Sequence, residues 1–144
     1  MSAEARPQTQ MTPLPLRLLP GQDLRRALES AVAAQGAQAA FVVAGIGSLR
    51  PARIRLAGAQ AEQVIDADCE LLTLSGSIAA NGSHLHLSVS DAQGHVTGGH
   101  AGYGCVVRTT AELLLVLLPH WRFLREPDAA TGWAELVIRA GRPA

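Results

Sequence analysis

Gly82-Ser83-His84-Leu85-His86-Leu87-Ser88-Val89-Ser90-Asp91-Ala92-Gln93-Gly94-His95-Val96-Thr97-Gly98-Gly99-His100 reads as a β-hairpin that sets three histidines side by side. Residues two apart in a strand share a face. His84 and His86 therefore point one way, while Leu85, Leu87 and Val89 point the other, toward a core. Ala92-Gln93-Gly94 fits a three-residue hairpin loop, with Gly94 at the position that takes a positive φ. That register pairs Asp91 with His95 and, further up the ladder, His86 with His100. Directly opposed side chains lie about 5 Å apart at Cβ and diagonal ones about 7–8 Å. His84, His86 and His100 then converge on one face, where Ser88, Gly98 and Gly102 leave room above the rings. Three imidazoles, a cleared space and no evident fourth ligand describe an open divalent metal site, with zinc the ion such a set suits. Loop length decides this. One residue fewer or more turns His100 to the opposite face, and the plainer alternative makes the histidines ordinary residues of a half-exposed sheet.

Outward from the hairpin, the chain reads mostly as strands. Leu14 to Leu19 alternates, and its early prolines favour a strand start or an edge. Asp23 to Gln35 is the clearest helix: Leu24, Ala27, Leu28, Ala31 and Val32 form one apolar stripe, Asp23 suits the N-terminal end and Gly36 the stop. Ala39 to Ile46 is a continuous apolar run, which predicts burial on both faces. Gly45-Ile46-Gly47-Ser48-Leu49 lacks the third glycine and the following helix of a phosphate loop, so it reads as a bend or a close backbone approach. Ala52 to Leu56 and Leu71 to Ile78 are further strands, the second broken by Gly76, and Asn81-Gly82 is a tight-turn dipeptide. Cys105 to Val107 and Glu112 to Leu118 form one long strand or two, too apolar for an exposed edge. Gly132 to Ile138 closes the series. One helix and about seven strands joined by short turns define an α+β domain with a largely antiparallel or mixed sheet. The excess of apolar strand over helical cover favours an oligomer.

The chain has 144 residues, enough for one domain with a real core. Residues 1–12 are polar and read as a disordered leader, 13–140 as the domain and 141–144 as a tail. Apolar residues make up 48% and aromatics 3%, which leaves little for base- or sugar-stacking platforms. Formal net charge is zero, and every strong base is an arginine. A neutral domain exerts no general pull on nucleic acid. Arg50, Arg53 and Arg55 cluster near one strand, and Arg122 and Arg125 near the C-terminus. Cys69 and Cys105 give neither a disulfide framework nor a zinc-finger spacing and read as small core residues. No apolar run approaches the ~18 residues of a membrane span, so the expectation is a cytoplasmic protein. His95 and His120 read as loop residues, and Trp121 and Trp133 as core or interface anchors.

Several segments in order resemble the plants-and-prokaryotes-conserved (PPC) domain family in its stand-alone bacterial form. They are Arg17-Leu18-Leu19-Pro20-Gly21-Gln22-Asp23-Leu24, Ala44-Gly45-Ile46-Gly47-Ser48-Leu49 and Leu74-Ser75-Gly76-Ser77-Ile78. They continue with His84-Leu85-His86, Gly98-Gly99-His100 and Gly104-Cys105-Val106-Val107-Arg108-Thr109-Thr110-Ala111-Glu112. The resemblance implies a seven-stranded mixed or antiparallel sheet, assembly as a homotrimer, and a metal site carried onto His84, His86 and His100. It also brings a DNA-binding label, which stems largely from plant relatives whose separate AT-hook grips the minor groove. The nearest segment here, Ala140-Gly141-Arg142-Pro143, lacks one arginine of that hook.

Three functions follow as expectations. The first is a cytoplasmic trimeric binding or regulatory module that holds a divalent metal, zinc, and meets itself and a regulatory protein. The second is a metal-dependent enzyme, since a three-histidine zinc lowers the pKa of bound water to near 7. Arg108 and Glu112 are then the charged candidates for site neighbours, although a salt bridge is the more ordinary role for both. The third is DNA binding by an oligomer through its arginine clusters.

Overall fold

Asp23 starts the only helix among the described residues, which in this computed structural model are 10–141. One carboxylate oxygen of Asp23 accepts the Arg26 N–H at 3.1 Å, and the other accepts the Gly104 N–H at 2.7 Å. The cap thus also pins a distant loop. Helix α1 (Leu24–Ala34) ends at Gly36, whose φ of +67° suits a residue without a Cβ. Leu24, Leu28 and Val32 are fully buried, each worth roughly 1.5–3 kcal/mol over exposure.

The strands are β1 (Thr12–Leu18), β2 (Ala39–Leu49), β3 (Ala52–Arg55), β4 (Gln63–Ile65), β5 (Cys69–Ala79), β6 (Gly82–Ser90), β7 (Val96–Ala101), β8 (Val107–Leu117), β9 (Trp121–Pro127) and β10 (Ala134–Ala140). An eight-stranded sheet has the order β1-β8-β2-β5-β6-β7-β3-β4, and β9 and β10 pair separately. Every strand pairing in these ladders is antiparallel. The helix covers one face, over Leu49, Ile54, Leu71, Leu74, Ile78, Leu85, Val89, Leu113 and Leu115. Proline-bearing β1 lies at the edge, and apolar β8 runs unbroken in the interior. Cys69 and Cys105 are free and buried.

The sheet is larger than the seven strands anticipated. Strands β4 and β9 were not foreseen, and β5 runs through Gly76 without a break. Gly47 is a close-approach glycine: a Cβ there would strike the Thr110 carbonyl and lie 2.7 Å from Ala111 Cα. Strand β2 is not buried on both faces, because Val43 and Ile46 are exposed. The single helix covers one side only. Trp133 is not a core anchor either; it is 58% exposed. Of the expected leader, residues 1–9 lie outside the described residues, and β1 already includes Thr12. Arg142 and Pro143 of the hook-like segment also lie outside them.

The β9–β10 hairpin folds back over the uncovered face. Phe123 is buried and meets Phe41 edge-on, ring centroids 5.6 Å apart. The Asn81 amide grips β9 twice, donating to the Arg125 carbonyl at 2.9 Å and accepting the Arg125 N–H at 2.7 Å. These contacts carry Arg125 and Trp133 over the histidine-bearing strands.

Candidate metal centre

The loop between β6 and β7 has the predicted form. The Asp91 N–H donates to the His95 carbonyl at 3.0 Å, and the Gly94 N–H donates to the Asp91 carbonyl at 3.0 Å. Gly94 takes a φ of +81°. The Asp91 carboxylate accepts the N–H groups of Gln93 and His95, both at 2.9 Å, and these backbone donors hold it below the usual carboxylate range. The loop sets the register: His86 pairs with His100. Neighbouring ladders extend the row, with Ser75 opposite His86 and Arg55 opposite His100, while Ser77 pairs with His84.

All three rings stand on the face away from the helix. His84 Nε2 and His86 Nε2 are 3.0 Å apart, and one nitrogen from each of the three rings lies within 4.8 Å of the others. Tetrahedral zinc at 2.0–2.1 Å from each nitrogen would hold its ligands about 3.3 Å apart. The observed nitrogen separations, from 3.0 Å to no more than 4.8 Å, bracket that spacing. Burial lowers the His84 pKa, helped by the nearby Arg125 charge. Burial, His84 and Arg55 together push His100 down to about 4. Both rings are therefore neutral near pH 7, the form that ligates metal without first losing a proton.

The rings line a cavity of about 590 Å³ shared with Arg25, Arg55, Arg125, Tyr103, Trp133 and Glu135. Arg25 is held firmly: it donates to Ser83 Oγ at 2.9 Å and to the Ala101 carbonyl at 3.2 Å, and it stacks 4.1 Å from the Tyr103 ring centre. Arg125 donates to Ser77 Oγ at 2.6 Å, while its Nε is buried without a partner. Arg55 lies over Trp133, 5.4 Å from the ring centre, and reaches the Ala59 carbonyl only at 3.4 Å. Neither Arg55 nor Arg125 has a carboxylate within 4.0 Å among the described residues.

Arg108 and Glu112 are not in this cavity. Arg108 pairs with Asp68 at 2.9 Å, and Glu112 sits across from Arg17 on β1 and Ile46 on β2. His95 is exposed and binds Asp91, and His120 occupies a turn. The cavity arginines and Trp133 are the site residues that sequence reasoning missed. Alternation puts Arg53 and Arg55 on the same face of β3, but only the β3–β7 pairing shows that this is the histidine face and that Arg55 is the one opposite His100.

Fold and site together define a sheet domain carrying a three-histidine cluster on its uncovered face. The chain belongs to the Plants and Prokaryotes Conserved (PCC) domain family, which it matches over residues 5–119. It is 48% identical over 131 residues to the bifunctional protein GlmU of Synechococcus sp., covering 90% of this chain but 21% of that protein. The chain thus spans about a fifth of the length of the curated relatives it matches. Among solved structures, it resembles a hypothetical protein from Salmonella cholerae-suis at 39% identity, TM-score 0.87, with 92% of this chain and 96% of that one covered. It also resembles the metal-containing protein AF0104 from Archaeoglobus fulgidus at 25% identity, TM-score 0.77, with 88% and 93% covered. Two more distant structures, from Bacteroides thetaiotaomicron and Ralstonia eutropha at 16% and 23% identity, bear names suggesting DNA binding; those likenesses carry the fold alone.

Proposed function

We propose that this chain is a cytoplasmic, homotrimeric binding and regulatory module that holds a divalent metal, zinc, on His84, His86 and His100. The convergence of three imidazoles on one sheet face, two of them neutral by environment, carries the reading. The metal-containing Archaeoglobus neighbour supports it. When bound, zinc would supply an open Lewis-acid position facing the cavity. The protein's part is to hold the rings: the paired strands fix their spacing, and Asp91 fixes the loop that sets the register.

Trimer assembly is supported by the uncovered face. Ile46 and Leu114 are 56% and 37% exposed on interior strands, and apolar surface of this kind marks protein contacts. Of the basic clusters considered for DNA, Arg50 is held by Asp66 and Asp68, and Arg53 by Glu62. Arg55 and Arg125 instead border the histidine cavity, which favours a small ligand over a duplex.

Metal analysis of protein reconstituted with zinc and then dialysed tests the reading. About one ion per chain is expected, with loss in His86→Ala. Stoichiometry far below one in the wild type would overturn it. Light scattering of the same samples reads the trimer.

A further inference from the structure

Among the described residues, the cavity around the histidines is lined by three arginines and one carboxylate. The sequence has as many acids as strong bases, 12 of each. Charge balance is therefore available, and six arginines use it: Arg25, Arg26, Arg50, Arg53, Arg108 and Arg139 each have a carboxylate within 4.0 Å. Among the described residues Arg55 and Arg125 have none, yet both are half-buried and both border the same hole. A desolvated guanidinium without a counter-charge is costly. Arg125 adds a buried Nε with no acceptor. Only Glu135 contributes a carboxylate to the lining. Occupancy of the histidines by a divalent cation would raise the imbalance further.

We propose that this cavity is a receptor for a small organic anion, whose carboxylate or phosphate group is bound by Arg55 and Arg125 beside the metal. This deepens the metal-site reading and rests on it. The planar guanidinium matches both oxyanions with paired N–H donors. Arg55 stands in the same cross-strand row as His86 and His100, so its head and the rings are set by one ladder. Arg125 approaches from the other side, on the β9–β10 hairpin. Arg25 is already engaged by Ser83 and Ala101 and paired with Glu29, and serves to position the wall. Trp133, exposed on the rim, offers an apolar surface to the organic part of the ligand, and Glu135 offers an acceptor for its hydroxyl or amine. At about 590 Å³ the space suits a metabolite and falls in the usual range of small-molecule sites.

The test titrates inorganic phosphate and succinate separately into the zinc-loaded and metal-free 144-residue chain at constant ionic strength. Calorimetry and thermal midpoints are the readouts, and zinc content is assayed after each run. Saturable binding is expected in the zinc-loaded wild type. It should weaken about tenfold or more in Arg55→Gln and Arg125→Gln, the loss of a charge-assisted hydrogen bond, with zinc content unchanged. Arg122→Gln removes the same charge from an exposed site outside the cavity and should bind as the wild type. Preference for phosphate or for succinate identifies the acid group. Absence of saturable binding to either probe, with zinc in place, overturns the proposal and spares the metal site. Equal weakening in Arg122→Gln also overturns it, as mere net-charge attraction. If zinc does not load, the metal reading fails alone, and the arginines are judged on the metal-free titration. Should Arg125→Gln not fold, Arg55→Gln decides.

Discussion

Two glycines a few residues apart let the β5–β6 pairing be tested without touching a histidine. Gly76 and Gly82 have nearly the same backbone twist, φ +143° and +145°. An alanine at either position meets the same kind of strain, of order 1–3 kcal/mol. Their surroundings differ. Nothing lies within 4 Å of a Cβ at Gly82. A Cβ at Gly76 would fall on the His84 carbonyl oxygen and sit 2.8 Å from Leu85 Cα, both backbone atoms that cannot rotate away. Strand β6 would have to move out by about 1 Å, at a further cost of about 1–3 kcal/mol or more. Gly76→Ala should therefore be the less stable variant by about 2 kcal/mol, or roughly 5–10 °C in midpoint for a chain of this size. The displaced backbone carries His84, and metal sites tolerate only about 0.2 Å. Zinc affinity in Gly76→Ala should fall about 10–100-fold, the scale seen when a ligand's support is disturbed, while Gly82→Ala keeps it. Urea unfolding of the two metal-free variants and zinc competition with a chromophoric chelator give both numbers. Equal destabilisation, or wild-type zinc affinity in Gly76→Ala, would refute the close approach and with it the placing of His84.

Other outcomes follow from single contacts. His100→Ala should cost more than about 100-fold in zinc affinity, beyond what outer-shell changes cost, with the far-ultraviolet spectrum unchanged; chelator competition measures it. Leu114→Arg places a charge on the uncovered face at a residue 37% exposed in the single chain, and light scattering should show monomers that remain folded; persistent trimers would place the interface elsewhere. Burial raises the pKa of both Cys69 and Cys105, so Ellman's reagent should find neither thiol in native protein and both after denaturation. Backbone donors from His95 and Gln93 depress the Asp91 pKa. A depressed carboxylate stabilises above its unfolded pKa, and that contribution is lost as pH falls through the folded value. The midpoint difference between the wild type and Asp91→Ala should therefore shrink as pH falls below the carboxylate range, and a constant difference would assign Asp91 no such role.

The parts of this fold legible in the sequence are those whose cause is local. Ala92-Gln93-Gly94 dictates a loop, the loop dictates a register, and the register brings His100 to His86. Asp23 and Gly36 bound the helix in the same direct way. What escaped depends on partners far along the chain. Arg55 meets His100 because β3 crosses to β7, a pairing across more than forty residues with no turn to announce it. Strand β9 begins at Trp121 just after Pro119 and His120, where turn signals mask the alternation that follows. The continuous apolar run of β2 reads as burial on both faces, but beyond the Phe41–Phe123 contact the structure leaves Val43 and Ile46 exposed on the second face. Apolar sequence records what a surface needs; it does not say whether the same chain or another copy meets the need.

The histidines sit on interior strands, and this separates what the site gains from what it resists. Strand β6 is flanked by β5 and β7, and β7 by β6 and β3. Backbone ladders hold the Cβ atoms of His86 and His100 from both sides and that of His84 from β5, so little backbone entropy is left to lose on binding. The energetic opposition is electrostatic instead. The same environment that holds His100 near a pKa of 4 resists any further positive charge, including a metal ion. A cation can enter only because neutral nitrogens coordinate it, and its charge then adds to that of Arg55 and Arg125. Strand geometry therefore favours the metal, whereas the unpaired guanidiniums oppose it unless an anion arrives too. Anion and zinc should consequently bind with positive coupling, each raising the affinity of the other by the same factor. Zinc affinity measured with and without saturating succinate tests this: a rise that disappears in Arg55→Gln is the expected result, and identical zinc affinities in both conditions would break the link between the two halves of the site.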